Sequence, residues 1–275
     1  MTSTDARTEP DTRDYPGIDD LSVSLADGVL SVTLNRPDSL NSLTQDMLVA
    51  VADAMELAAT DPAVRVVRLG GAGRGFSSGA GISEDDQNAD SHDAEGVLDA
   101  ANRAVGSIVA LPKPVVAVVQ GPAAGVGVSL ALACDVVLAA DQAFFLLAFT
   151  KIGLMPDGGA SALVAANVGR IRAMRLALLA ERLTASDAYD WGLISGVYPA
   201  AELDAAVDKV LSKLRTGPAV ALRKTKHAIN AATLSDLDSA FALEREGQLQ
   251  LLASNDFREG TRAFQQNRRA EFTDS

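Results

Sequence analysis

The chain is poor in cysteine, in histidine, in positive charge and in long apolar runs, and each shortage excludes something. Cys134 is the only cysteine among 275 residues, so no disulfide framework can staple the fold, and a reducing cytoplasm is the expected compartment. It follows the apolar stretch from Val128 to Ala133 and reads as a small buried hydrophobe. No uninterrupted apolar run approaches the roughly twenty residues of a membrane helix. The opening residues are polar and acidic and lack an apolar centre, which predicts a disordered tail over residues 1–17 and neither a secretory leader nor an anchor. A net charge of −12 opposes sequence-independent attachment to nucleic acid, which relies on Lys and Arg against phosphates. The two histidines, His92 and His227, fall far apart in a charged loop and a basic helix, so neither a metal cluster nor a catalytic triad is expected.

What is present is apolar, patterned residues, 48% of the chain, enough for a full core. Residues Leu21 to Leu25 and Val29 to Leu34 alternate around Asp27-Gly28, the signal of a hairpin. Thr44 is placed to cap a helix whose apolar face runs through Met47, Leu48, Val51, Met55 and Ala58. Val64 to Leu69 and Val115 to Val119 read as buried strands, separated by a helix from about Ala94 to Ala110 that Pro112 and Pro114 stop. A helix over Gly125 to Cys134 and a strand over Val136 to Ala139 follow. The alternation predicts an α/β core with crossover connections. Helices are then expected over Ala160 to Asn167, Arg170 to Leu179 and Ala185 to Trp191, with a last strand at Ile194 to Tyr198. A boundary near Pro199 divides a core of residues 18–199 from a helical module of residues 200–275, which Gly217-Pro218 breaks between two helices. The acidic run from Ser83 to Asp93 has no apolar face and reads as a mobile surface segment whose Glu84, Asp85 and Asp86 could reach a site only by folding over it.

Two glycine-bearing segments carry the chemistry. Gly75 to Ile82 follows a buried strand, where glycines let backbone N–H groups face a site. Gln120 to Ser129 runs from a strand into a helix start, whose unpaired N–H groups suit negative charge. It lacks the Lys-Ser/Thr ending of a phosphate loop and the glycine spacing of a dinucleotide fold.

In order and separation these segments resemble the crotonase (enoyl-CoA hydratase/isomerase) family. The likeness runs through Asn35-Arg36-Pro37 with Asn41 and Leu43, then Phe76 to Ile82, Lys113-Pro114, Gly121 to Asp135, Ile152 to Gly159, and Ala188 to Leu193 with Trp191-Gly192. It implies a right-handed spiral of ββα units with a C-terminal helical trimerisation module, and a homotrimer or dimer of trimers. It also implies an oxyanion hole for a thioester carbonyl, made by the amides of Ala80 and Val126. Removing a proton beside a thioester puts charge on its oxygen, and one preorganised donor there is typically worth about 3 kcal/mol. No permanently bound cofactor is implied; coenzyme A enters as part of the acyl-CoA substrate.

The departures from the family pattern narrow the reaction. The two glutamates with which the family's hydratases hold water fall, residue for residue, on Ser129 and Phe149. General acid–base help is worth roughly 10²- to 10⁴-fold per group, and neither residue supplies it. Leu154 to Gly159 instead resembles the Pro-Asp/Glu-Gly segment of the family's enoyl-CoA isomerases and nominates Asp157 as the carboxyl that moves a proton from C2 to C4. Its alternative is a capping Asp ahead of the helix at Ala160. Burial beside Phe144, Phe145 and Phe149 would raise its pKa. The expected function is therefore a Δ3-to-Δ2 enoyl-CoA isomerase of fatty acid or related acyl-CoA metabolism, or a relative acting on a ring-derived CoA thioester. An enoyl-CoA hydratase and a non-catalytic acyl-CoA binder are the alternatives. The coenzyme's adenine end is expected near Arg36, Gly79, Gly81 and Ile82. The family's basic contact from a C-terminal helix falls on Asn267, which leaves Arg268 or Arg269 to supply it. The last quarter also carries Arg223, Lys224, Lys226, Arg258 and Arg262.

Overall fold

The computed structural model describes residues 15, 17–81 and 94–274. Most of the expected tail, and the acidic segment with Ile82, Glu84, Asp85, Asp86 and His92, lie outside the described residues. The chain opens with the hairpin that the alternation predicts: strands β1 (Leu21–Ala26) and β2 (Val29–Leu34) pair antiparallel across Asp27-Gly28. Parallel strands β3 (Val66–Gly71), β4 (Val115–Val119), β6 (Val136–Ala140) and β9 (Gly196–Tyr198) extend the sheet in the order β1-β2-β3-β4-β6-β9.

Parallel strands are covered on both faces, which is why these runs are continuously apolar. Val67, Leu69, Val115, Ala117, Val119, Val137 and Ala139 face the main core, shared with helices α1 (Gln45–Thr60), α2 (Ala94–Ala110) and α3 (Val126–Leu132). The alternate residues Val66, Val116, Val118, Leu138 and Ala140 face a smaller core closed by Leu203, Val207 and Leu211 of α6 (Leu203–Arg215). Thr44 caps α1 by accepting from the Met47 amide at 3.2 Å. Lys113, one of the family-like residues, closes the other end of α1 by donating to the carbonyls of Ala58 and Asp61.

Three short strands escape the apolar pattern. β5 (Pro122–Ala124), β7 (Phe144–Leu146) and β8 (Leu183–Thr184) form a second sheet in the order β5-β7-β8. At two or three residues each they are too short to show a period. The helices expected over Ala160 to Asn167 and Arg170 to Leu179 are one helix, α4 (Ala160–Leu179), broken at Gly169, whose φ of 75° and ψ of 163° are not helical. Helix α5 (Ala185–Asp190) precedes β9. After Tyr198 the described chain holds no further strand. It runs through one turn of 3-10 helix and then α6, α7 (Ala219–Thr233), α8 (Leu237–Leu252) and α9 (Asn255–Gln265).

Candidate active site

The two glycine-bearing segments lie side by side. Phe76 and Ser77 both donate their amides to the Pro122 carbonyl at 3.0 Å, and the Ala124 amide donates back to the Ser77 carbonyl at 2.9 Å. Gly79 lets the segments close: its φ is 92°, and a Cβ there would stand 2.9 Å from the Ala124 carbonyl oxygen. Behind the first segment, the fully buried Asn41 donates through Nδ2 to the carbonyls of Ala72, Gly75 and Phe76 at 2.9–3.2 Å. Its Oδ1 accepts from the Arg36 amide at 2.9 Å. Asn41 thus braces the loop from behind, while Leu43 of the same segment lines the cavity.

Beyond Gly79 the chain pairs briefly with Leu43. The Leu43 amide donates to the Gly79 carbonyl at 2.8 Å and the Gly81 amide donates to the Leu43 carbonyl at 3.3 Å. In such a bridge the amide of the intervening Ala80 is turned to the other side. Val126 opens α3, so its amide has no acceptor within the helix. Neither amide is hydrogen-bonded to a described residue. Both residues line one cavity of about 930 Å³, together with Gly79, Gly81, Phe149 and Asp157.

Asp157 stands on the turn before α4. Gly158 and Gly159 both take positive φ, 62° and 75°, which makes the sharp bend that brings its side chain inward. It is 8% exposed. Oδ2 accepts from Gln248 Nε2 at 2.7 Å, while Oδ1 is buried with no hydrogen-bond partner. Burial raises its pKa to about 7; the Gln248 hydrogen bond opposes the rise and the Glu244 charge adds to it. Of the three phenylalanines expected beside it, Phe149 shares the cavity. Phe144 instead lies under the Arg182 guanidinium at 3.8 Å.

The capping alternative for Asp157 does not describe this site, because α4 is capped from another helix. Glu244 of α8, 1% exposed, accepts from the Gly159 amide at 2.6 Å, the Ser161 amide at 2.8 Å and the Ser161 hydroxyl. Glu244 and Gln248 were not singled out from the sequence. A signal existed: they continue the helical stripe of Leu237, Ala240 and Phe241 at core spacing, where polar residues need a buried partner. Ser129 Oγ donates to the Asp157 carbonyl at 2.9 Å, so the two positions of the hydratase glutamates hold a structural hydroxyl and an aromatic wall. Asp157 is the only carboxylate among the described residues that line the cavity.

The residues expected at the coenzyme divide. Gly79 and Gly81 line the cavity, whereas Arg36, Arg268 and Arg269 do not. Arg36 donates to the Ser42 carbonyl at 3.0 Å and hydroxyl at 2.8 Å, and Arg268 pairs with Glu259. Of the other basic residues in the last quarter, Arg258 and Arg262 of α9 line the cavity, while Lys226 is tied to Asp135 at 3.0 Å. Helix α9 reaches the cavity because Gly260 and Gly153 allow it to seat on the turn at Phe149–Ile152; a Cβ on Gly260 would stand 2.5 Å from the Ile152 Cα. Among the described residues no cluster of metal-ligating side chains occurs, and no helix is long and apolar enough to cross a membrane.

A spiral of ββα units, with two amide-bearing loops and one buried carboxyl around a cavity roofed by C-terminal helices, is the crotonase class of enzyme fold. A family profile described as "Enoyl-CoA hydratase/isomerase" matches residues 24–275. The chain belongs to the enoyl-CoA hydratase/isomerase family, enzymes that act on acyl-CoA thioesters. It is 39% identical over 251 residues to the 1,2-epoxyphenylacetyl-CoA isomerase of Escherichia coli K12, covering 90% of this chain and 95% of that one. It is 38% identical over 250 residues to a probable enoyl-CoA hydratase of Rhodobacter capsulatus, covering 90% and 96%. Among solved structures, an enoyl-CoA hydratase from Mycobacterium avium subsp. paratuberculosis K-10 is 64% identical with a TM-score of 0.88, covering 94% of this chain and all of that one.

Proposed function

We propose that this enzyme is a Δ3-to-Δ2 enoyl-CoA isomerase, with Asp157 as its only proton carrier and the amides of Ala80 and Val126 as its oxyanion hole. The observation that carries this reading is that one buried carboxyl, with one oxygen unpartnered, is the sole carboxylate among the described lining residues. Hydration needs a water held between two groups. Isomerisation needs one carboxyl to take a proton from C2 and return it at C4. In the first step the C2–H bond breaks, its electron pair passes into the enolate, and the proton goes to Asp157. In the second the same proton forms the C4–H bond while the double bond settles between C2 and C3. The negative oxygen between these steps is what two preorganised amides in a dry site stabilise.

The coenzyme's phosphates would be met by Arg258 and Arg262, the two basic residues among the described lining. Replacing both with Ala is expected to raise KM for an acyl-CoA about tenfold or more and to leave kcat nearly unchanged, because phosphates far from the reacting carbons bind alike in ground and transition states. A homotrimer or dimer of trimers is supported by exposed Ile171, Met174 and Leu178, a helical stripe on α4 at 77%, 42% and 65% exposure. A cytoplasmic setting is supported by the free, buried Cys134. The relatedness to 1,2-epoxyphenylacetyl-CoA isomerase favours testing ring-derived acyl groups beside linear ones.

The deciding experiment supplies purified enzyme with 3-enoyl-CoA and follows the conjugated 2-enoyl product. Turnover is expected, with kcat/KM rising as pH increases through about 7 and levelling above it, since the base must be ionised in the free enzyme. The names of several relatives keep hydration as the second reading. Rapid hydration of crotonyl-CoA with no isomer formed from 3-enoyl-CoA would replace the proposal with that reading.

A further inference from the structure

Gln248 is 2% exposed and lies one turn after Glu244 on α8. Its Oε1 accepts from the Met155 amide at 3.2 Å, which fixes how the side-chain amide is turned and leaves only Nε2 to meet Asp157 Oδ2. The groups facing Asp157 come from three helices. Glu244 and Gln248 belong to α8. Ser129 on α3 spends its hydroxyl on the Asp157 carbonyl. Arg258 and Arg262 on α9 share the cavity wall. Among the described residues, only Gln248 and Glu244 act from their side chains on the Asp157 proton, and in opposite directions.

Building on the reading of Asp157 as the base, we propose that Gln248 and Glu244 are a positioning pair: Gln248 holds one carboxyl oxygen so that the other alone takes the proton from C2 and returns it to C4, while Glu244 sets a negative charge behind it. The clamp on Oδ2 makes the two carboxyl oxygens unequal. Oδ1, buried and unpartnered, is the oxygen left for the substrate proton. Because one atom both accepts and returns that proton and bulk water is kept from it, substrate deuterated at C2 should carry part of its label into C4. A hydrogen bond to the charged form favours ionisation, and a like charge disfavours it. Gln248 therefore makes the base available near neutral pH, and Glu244 makes it a stronger base toward C2.

Opposite pH shifts test the pair, because a general loosening of the site would not produce them. For Q248L the midpoint of kcat/KM against pH is expected to move upward from about 7, with kcat falling about 10- to 100-fold, the worth of a hydrogen bond to a charged group, and KM nearly unchanged. Q248E still offers an acceptor to the Met155 amide while removing the donor, so it should shift the same way if Q248L folds poorly. E244Q should move the midpoint downward. A carbon-13 NMR titration of the Asp157 carboxyl, without substrate, should give the same order of shifts. Q248E and E244Q midpoints that coincide with the wild type, while Asp157→Asn is inactive, would overturn the positioning role and leave Asp157 as the base. Wild-type turnover in Asp157→Asn would instead remove the base itself, whatever the α8 variants do.

Discussion

Asp157→Asn is expected to lose about 10³-fold or more in kcat for the isomerisation and to unfold at a higher temperature than the wild type above pH 7. The first effect follows from removing the proposed proton carrier, since general acid–base help is worth roughly 10²- to 10⁴-fold. The second follows from linkage. An aspartate whose pKa is raised from 3.8 to about 7 by burial holds its proton in the folded state over a range where the unfolded chain has lost it. Its favourable contribution is complete below about pH 4, declines as pH rises, and is gone above about 7. Asn keeps an acceptor for Gln248 Nε2 and never ionises. The variant should therefore match the wild type near pH 4 and exceed it by on the order of 2–4 kcal/mol at pH 8, at about 1.4 kcal/mol per unit of pKa. Thermal unfolding of both proteins at several pH values, alongside the isomerase assay, checks both halves. A variant that is inactive but no more stable at pH 8 would mean that burial does not hold Asp157 in strain.

Gly79→Ala should lower kcat about 10²- to 10³-fold with the fold retained. The added Cβ would stand 2.9 Å from the Ala124 carbonyl oxygen on a residue with φ of 92°, so one of the two loops must shift. Ala80 follows directly, and an amide moved off the thioester oxygen forfeits the stabilisation that a single oxyanion donor provides. Circular dichroism should be unchanged, because the Asn41 brace and the sheet lie behind the loop. Ala80→Gly is the counterpart: it alters a side chain but keeps the amide, and should retain most of the activity. Equal losses in the two variants would argue that side-chain packing, not backbone placement, governs the site.

Seen against the fold, the sequence was informative wherever a signal is local. The Asp27-Gly28 hairpin, the Thr44 cap and the β-branched run from Val115 to Val119 are each legible because turn chemistry, capping and burial on both faces act over a few neighbouring residues. The glycine-bearing segments were legible as motifs for a related reason: close backbone approach tolerates few residue types. The same locality explains the omissions, since strands of two or three residues such as Phe144–Leu146 have no period to read. It also explains why the sequence does not show that Arg258 and Arg262, and not Arg268 and Arg269, line the cavity. Which face of α9 meets the cavity is decided by how that helix seats on the turn at Phe149–Ile152.

The sequence by itself determined the succession of the main-sheet strands along the chain, the family and the absence of ionisable groups at Ser129 and Phe149. Only the tertiary structure decided what Asp157 is chemically. Its pKa is raised by exclusion of water and by the Glu244 charge and held back by the Gln248 hydrogen bond, from residues that lie 87 and 91 positions further along the chain. Desolvation and charge act through space, so they become defined when helix α8 packs over the turn at Asp157.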